Sequence, residues 1–292
     1  MITVTIFTPT FNRAHLLKRC YLSILEQNRD DIEWLIIDDG STDNTLDVVK
    51  EFQNESRLKI NYIFQVNSGK QAAWNLAVKN ANGKYFIGLD SDDALVTNSI
   101  SKLLSIKTVF DDKEIIAIRA VSVNSETMRP NNCYLFNADK KNSWFEEFSS
   151  GIRGERIDLF KTELLRKYFY PVESGVNFIP EIWLYSTVSK NYKFYYSSIL
   201  VRIFFDDENT NRLSKSSITR HAVGHYISRK ALLDNMPKKI WLYRPLDFIK
   251  SVLRLNQALT IIDKKYINHS NSSILVKIVA FPGLIINKIK RQ

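Results

Sequence analysis

The chain has 292 residues, 45% hydrophobic and 25% charged, which is the balance of a globular protein with one large domain or one domain plus an extension. Cys20 and Cys133 lack metal-ligand spacing and point to a reducing compartment without a disulfide framework; the N-terminal MITVTIFTPTFN lacks a signal-peptide pattern, and no apolar run approaches the ~18 residues that span a bilayer. The formal charge of +10 is uneven, because about 16 Lys/Arg against three Asp follow residue 211 and leave the first 211 residues slightly acidic.

The elements come in regular alternation. ITVTIFT (2–8) reads as a strand, 14–27 as an amphipathic helix and WLIID (34–38) as a buried strand. Residues 45–53 form a helix after a capping-like Ser41/Thr42, 60–66 a strand and 70–81 a helix. KYFIGLD (84–90) is a fourth strand and 99–110 a helix. This alternation predicts an α/β fold with a mostly parallel, Rossmann-like sheet flanked by helices. Further on, 114–123 and 193–205 read as strands, 157–168 and 181–192 as helices, and everything beyond about 216 as helical. The longest apolar run, IVAFPGLII (278–286), is short and interrupted by Pro282 and Gly283. The expected divisions are 1–110, 111–211 and a basic helical extension over 212–292.

In an open parallel sheet, ligands bind beyond the carboxyl ends of the strands. The first four strands are followed by TPTFNR (8–13), DDGSTDNT (38–45), NSGK (67–70) and DSDD (90–93), all polar and rich in carboxylates. In an extended DSDD, Asp90 and Asp92 point to one face. Such a pair suits Mg²⁺ or Mn²⁺ bridged to a diphosphate. A solvated, helix-capping turn is the competing reading of this segment taken alone. Asp38 and Asp39 close a strand as buried as WLIID, where a carboxylate can accept hydrogen bonds from a ribose or a base. GxxxxGK[ST] and GxGxxG are both missing, which argues against a P-loop NTPase and a dinucleotide site.

The loops TPTFNR, IDDGSTDNT, NSGKQAAWN and NGKYFIGLDSDD together resemble an inverting family 2 glycosyltransferase of the GT-A fold, in order and spacing, across roughly residues 1–110. The resemblance implies a nucleotide-sugar site made by Thr8, Pro9, Phe11, Asp38, Asp39, Lys70, Asp90 and Ser91. Pro9 and Phe11 would wall the base, Asp39 would meet the base or ribose, and Lys70 would lie near the base or diphosphate. Asp90 would face the ribose or donor sugar, and Asp92, with Asp90, would hold Mn²⁺ or Mg²⁺. Phe11 stands where the family commonly has Tyr, so a phenol contact is missing. The resemblance also places a catalytic base about ninety residues after the DxD motif, where NFIPEIWLY offers Glu181. Its neighbours Phe178, Trp183 and Tyr185 suggest an aromatic setting able to raise a carboxyl pKa. Glu173 and Glu155 are rivals, Glu181 also fits a plain helix N-terminus, and SGVN (174–177) departs from the Gly-Glu-Lys stretch of similar bacterial sequences.

The expected activity is metal-dependent transfer of a sugar from a nucleotide-diphospho-sugar, with UDP the favoured nucleotide, to a saccharide acceptor in surface polysaccharide synthesis. The acceptor is expected to be lipid-linked. A nucleotidyltransferase is a rival, although TPTFNRAHLLK lacks its Gly- and Lys-rich loop. A non-catalytic sugar-nucleotide or membrane-binding module is another. His221 and His225 are spaced i,i+4 without an HExxH glutamate and read as a solvated or interfacial pair. Trp74 and Leu76 read as core. In 236–256 and 274–291, Trp241, Tyr243, Phe248, Leu253, Ile285 and Ile289 alternate with Lys239, Arg244, Lys250, Arg254, Lys277, Lys288, Lys290 and Arg291. That pattern is expected to lie on an anionic membrane, on the cytoplasmic face, and not on nucleic acid, with a helical cap on the catalytic domain or a partner-binding face as the competing reading.

Overall fold

The structure is a computed structural model that describes residues 1–130, 138–152, 154–206, 218–267 and 274–290, so Cys133 and His269 lie outside the described residues. The alternation opens with β1 (Val4–Thr10), α1 (Ala14–Leu25), β2 (Ile32–Asp38), α2 (Thr45–Asn54), β3 (Lys59–Phe64), α3 (Lys70–Asn80) and β4 (Tyr85–Gly88). The four strands pair in parallel in the order β3-β2-β1-β4. All seven positions of β2 are buried, as a parallel strand covered on both faces requires. On one face, Tyr21 of α1 stacks on Phe52 of α2 at 4.2 Å and on Trp34 at 5.9 Å. On the other, Trp74 of α3 meets Phe86 at 5.2 Å and Phe7 at 5.9 Å, the core role expected of it.

β1 runs two residues beyond the expected strand and takes Pro9 with it. A proline cannot donate to a sheet. The Phe7 carbonyl accepts from Leu89 N–H, and Pro9 points the same way two residues later, past the end of β4. No donor is needed there, so the strand carries its proline to the rim without losing a ladder bond.

The chain continues through β5 (Ala94–Leu95), α4 (Ser99–Ser105), a 3-10 turn (Lys107–Asp111), β6 (Ile115–Asn124), β7 (Lys140–Asn142), α5 (Trp144–Ser150), β8 (Arg156–Lys161), α6 (Thr162–Leu165), α7 (Ile182–Val188) and β9 (Lys193–Phe204). The full order is β3-β2-β1-β4-β8-β6-β9-β5, with β7 on β9. The run of parallel pairs is interrupted after β4, because β8 runs antiparallel to both β4 and β6, and it resumes where β6 pairs with β9 in parallel. This corrects the helix expected over 157–168. Ile157 and Leu159 enter one core face, whereas Asp158 pairs with Arg119 and Phe160 meets Trp74 on the other. That is a period of two, and only Thr162–Leu165 turns as a helix.

The chain forms two compact units. The first, carrying the whole sheet, comprises Met1–Ser143, Ser150–Phe169 and Tyr192–Glu208; the second comprises Trp144–Ser149, Tyr170–Asn191 and Asn209–Gln292, in each case for the described residues. The second therefore contains α7 together with α8 (Ala222–Asn235), α9 (Lys238–Tyr243), α10 (Pro245–Leu259) and α11 (Ile274–Lys290). Its own core joins Tyr226 and Leu233 of α8 to Leu255 and Leu259 of α10 and to Val276 and Ala280 of α11.

The run around Pro282 does not break the helix. α11 passes through it, because Asn256 of α10 enters the hydrogen-bond ladder: its Nδ2 donates to Val279 C=O at 2.7 Å and its Oδ1 accepts from Gly283 N–H at 2.6 Å. Among the described residues, no helix is long and apolar enough to cross a membrane.

Candidate active site

The loops after β1 and β2 are fastened to each other. Asn12, in the left-handed region at φ 53°, donates its N–H to Ser41 Oγ at 2.8 Å, and its Oδ1 accepts from Thr42 N–H at 2.7 Å. Asp43 serves two helix starts at once: Oδ2 accepts from Ala14 N–H at 3.1 Å, and Oδ1 from Thr45 N–H at 3.1 Å. Asp43 thus tethers the start of α2, whose N-cap position is Asn44, while the expected capping pair Ser41/Thr42 bonds back to Asn12.

Asp38 and Asp39 build the rim. Asp38 Oδ1 accepts from Ser41 N–H at 2.7 Å and Oδ2 from the Tyr62 hydroxyl at 2.6 Å. Asp39 accepts from Gln65 Nε2 at 2.6 Å and from the N–H groups of Ser68 and Gly69, each at 2.8 Å. Gly69, at φ 90°, turns the chain into α3, a conformation that favours glycine. Asp39 thereby fixes the loop from which Lys70 projects.

Lys70 reaches the acidic turn after β4, its Nζ 2.9 Å from Asp90 Oδ1. That segment is a turn and not the extended stretch expected, closed by Asp93 N–H donating to Asp90 C=O at 3.0 Å. The turn gathers three carboxylates instead of two: single oxygens of Asp90, Asp92 and Asp93 all lie within 4.8 Å of one another. Arg13 Nη1 lies 3.1 Å from Asp92 Oδ2, and Arg19 donates to the Asp92 carbonyl while resting on the Phe205 ring. Arg202 of β9 pairs with Asp93 at 3.3 Å and Glu155 at 2.7 Å, and donates to Ser122 Oγ at 2.9 Å. Burial pushes the Asp93 carboxyl up to about 7 against the pull of Arg202, with Asp90 and Asp92 adding to the rise. Desolvation works to raise the Asp90 carboxyl as well, but Lys70 outweighs it and holds the group below the usual range.

The expected residues separate on this geometry. Pro9, half-buried, and Phe11, exposed, stand at the rim, with Lys70, Asp90 and Asp92 gathered beside them on one sheet edge. Thr8 is corrected: its hydroxyl is buried, accepting from Trp34 Nε1 at 2.9 Å, and supports the sheet. Asp38 and Asp39 are both buried, and each has both carboxylate oxygens hydrogen-bonded within the fold. Ser91 is buried too, its hydroxyl 3.5 Å from Arg13. Arg13 and Arg202 are additions; Arg13 stands inside TPTFNR, whereas Arg202 sits in a strand about 110 residues after the acidic turn, and nothing local marks it.

In the second unit, Glu181 is exposed immediately before α7. Tyr170 and Trp183 pack at 4.8 Å, and Trp144 stacks on Tyr185 at 5.7 Å. Burial first, then the Glu181 charge, raises the pKa of the Tyr170 hydroxyl, but Glu181 itself is exposed, so the carboxylate is not enclosed by these rings. Of its rivals, Glu155 is committed to Arg202 and Glu173 is exposed.

Residues 5–169, more than half the chain, match the family described as Glycosyl transferase family 2. Chondroitin synthase of Pasteurella multocida is 38% identical over 122 residues, 41% of this chain and 12% of that protein. The first curated relatives align over only 12 to 35% of their own length. Among solved structures, S. aureus TarS 1–349 in complex with UDP superposes with a TM-score of 0.61 at 14% identity, covering 100% of this chain and 92% of that one. The mannosyltransferase PcManGT from Pyrobaculum calidifontis in complex with GDP-Man and Mn²⁺ gives 0.58 at 18% identity, covering 99% and 88%. These likenesses establish the GT-A fold, and with the match over 5–169 the chain belongs to glycosyl transferase family 2.

Proposed function

We propose that this glycosyltransferase moves a sugar with inversion from a nucleotide-diphospho-sugar to an acceptor hydroxyl. The observation that carries the reading is the convergence of Lys70, Arg13, Asp90 and Asp92 at the carboxyl ends of parallel strands, where such sheets bind ligands. In this reading Pro9 and Phe11 wall the base, Asp39 borders the base or ribose, and Asp90 faces the ribose or sugar. The Lys70 ammonium and the Arg13 guanidinium stabilise the charge that develops on the leaving diphosphate.

The donor set suits a divalent ion: three carboxylates within 4.8 Å of one another offer only hard oxygen ligands. Asp90 and Asp92 would hold Mg²⁺ or Mn²⁺, which when bound neutralises diphosphate charge.

Glu181 accepts the proton of the acceptor hydroxyl, the freed oxygen bonds to the anomeric carbon, and the bond from that carbon to the diphosphate oxygen breaks. Attack from the side opposite the leaving group turns an α-linked donor into a β-linked product. UDP is the nucleotide favoured for the donor, since TarS is a relative in fold whose structure holds it. The likeness to a chondroitin synthase supports a saccharide acceptor in surface polysaccharide assembly. The basic, partly apolar face of α9 to α11 supports a peripheral position on the cytoplasmic side of an anionic membrane, where a lipid-linked acceptor would be met.

The test is a panel of nucleotide sugars incubated with Mn²⁺ and scored for release of nucleoside diphosphate. Turnover of a UDP-sugar, lost in EDTA, is the expected outcome; a panel without turnover of any donor would favour a non-catalytic binding module.

A further inference from the structure

The second unit contains a group of cation-forming side chains that the transfer reaction does not use. His221, His225 and Arg229 follow at intervals of four along the start of α8, which sets them on one helix face. Arg254 comes from α10, which packs on α8. Gly224 lets α8 lie flush against the segment before α7, since a Cβ there would fall 1.8 Å from the Phe178 carbonyl oxygen. The Phe178 ring in turn meets His221 edge-on at 5.3 Å and His225 at 6.5 Å.

This group lacks a counter-charge among the described residues. Arg229 is only 7% exposed. Its Nε, both ring nitrogens of His225 and Nε2 of His221 are buried without a hydrogen-bond partner there. Neither Arg229 nor Arg254 takes part in the ion pairs described for this unit, Lys230–Asp234 and Lys239–Glu146. Burial, then the Arg254 charge, brings the Arg229 guanidinium down to about 10, which leaves it charged at neutral pH. Folded proteins pair their buried charges, because an uncompensated one is costly. Arg254 is exposed, so the group opens to the surface. Two guanidinium forks and two imidazoles present many N–H donors and at least two positive charges, which a tetrahedral dianion matches better than a carboxylate.

We propose that Arg229, His225, His221 and Arg254 bind a phosphate-type oxyanion, a phosphate ester or diphosphate carried by the acceptor. The assignment to the acceptor rests on the reading of Glu181 as the base, three residues from Phe178; the anion site itself does not.

The test is calorimetric titration of the full-length protein in EDTA, with inorganic pyrophosphate and separately with farnesyl diphosphate in detergent. Arg229→Gln and Arg254→Gln are each expected to weaken binding at least about tenfold, the worth of a charge-assisted hydrogen bond. Arg254 is exposed, so its replacement leaves the core in place, and it decides the matter if circular dichroism shows Arg229→Gln unfolded. Farnesyl diphosphate binding more tightly than pyrophosphate supports the site with a lipid-borne phosphate; equal binding supports it with a soluble one. Unchanged affinity in a folded Arg254→Gln, or no binding by the wild type, overturns the site. Normal transfer by Glu181→Gln would remove only the acceptor assignment, because anion binding is read independently.

Discussion

The guanidinium of Arg13 lies 3.1 Å from Asp92, the carboxylate assigned to the metal, and Lys70 holds Asp90 in the same way at 2.9 Å. Each carboxylate of the proposed metal pair is thus matched by a cation from a neighbouring loop, which keeps the acidic turn formed with protein charges alone. Asp92→Ala should therefore leave the fold intact, because the Arg13 side chain it releases is 27% exposed and can turn to water. Its metal-dependent release of nucleoside diphosphate should fall to background. Circular dichroism and a Mn²⁺ titration of turnover check both parts. Full activity of the variant, or of wild type in excess EDTA, would exclude the metal role.

Glu181→Gln should keep donor affinity and lower transfer by roughly 10²–10⁴-fold, the usual contribution of a general base. Donor binding is read by calorimetry and transfer by product formation. Glu173→Gln, at the other exposed carboxylate of this segment, should transfer normally. The reverse pattern would move the base to Glu173.

The alternation from Val4 to Gly88 is legible in the sequence because β1, β2 and β4 are mostly apolar and buried and the helices between them carry buried residues at helical spacing, so local pattern and tertiary burial agree. Arg156–Lys161 is not legible in this way. Its apolar residues serve two faces, and TELL beyond it carries helical spacing, so only pairing with β4 and β6 decides for strand. At the rim, the residue types of TPTFNR, DDG, NSGK and DSDD mark the edge, but not the division of labour within it. Asp38 and Asp39 are equivalent as letters, yet their hydrogen bonds go to different partners, and Thr8 faces Trp34 only because β1 alternates its sides. Arg202 escapes a reading of the sequence because it meets Asp93 through strand pairing across the sheet.

His225 should make stability depend on pH in phosphate-free buffer. Burial first, then the charges of Arg229, His221 and Arg254, bring its pKa from the usual 6.5 down to about 4. The unfolded chain therefore takes up this proton before the folded one does. The stabilisation is fully present above about 6.5 and is lost as pH falls toward 4. Urea denaturation of wild type and His225→Gln at pH 7 and pH 5 isolates this contribution. The wild type should lose more stability than the variant between the two values, and equal losses would show that this imidazole titrates as it does in water.

The last prediction concerns the exposed face of α9 and α10. Leu242, Leu246, Ile249 and Leu253 recur at helical spacing, and Leu242 and Leu246 are 81% and 69% exposed. Exposed Lys238, Lys239, Arg244, Lys250 and Arg254 stand among them, with Asp247 the one acid between residues 235 and 262. On α11, Ile278, Phe281 and Ile285 are exposed beside Lys277 and Lys288; the side chains of Ile289, Lys290 and Arg291 lie outside the described residues. Trp241 and Phe248, expected in the same face, pack on each other at 5.3 Å, and Phe248 also packs against the core. Apolar side chains ringed by cations suit an anionic bilayer, where each cation near the surface contributes about 1 kcal/mol. A second copy of the chain would bring like charges together instead. Removing residues 236–292 would take Leu255, Leu259 and Val276 from the core of this unit, so truncation would confuse docking with folding. Point changes avoid that. Leu246→Asp with Leu253→Asp, and separately Lys250→Glu, should leave the thermal midpoint nearly unchanged and sharply reduce sedimentation with vesicles containing phosphatidylserine. Binding by the wild type should also weaken as salt rises, through screening of the surface charges. A wild-type protein that stays in the supernatant with such vesicles at low salt would rule out a membrane role for this face.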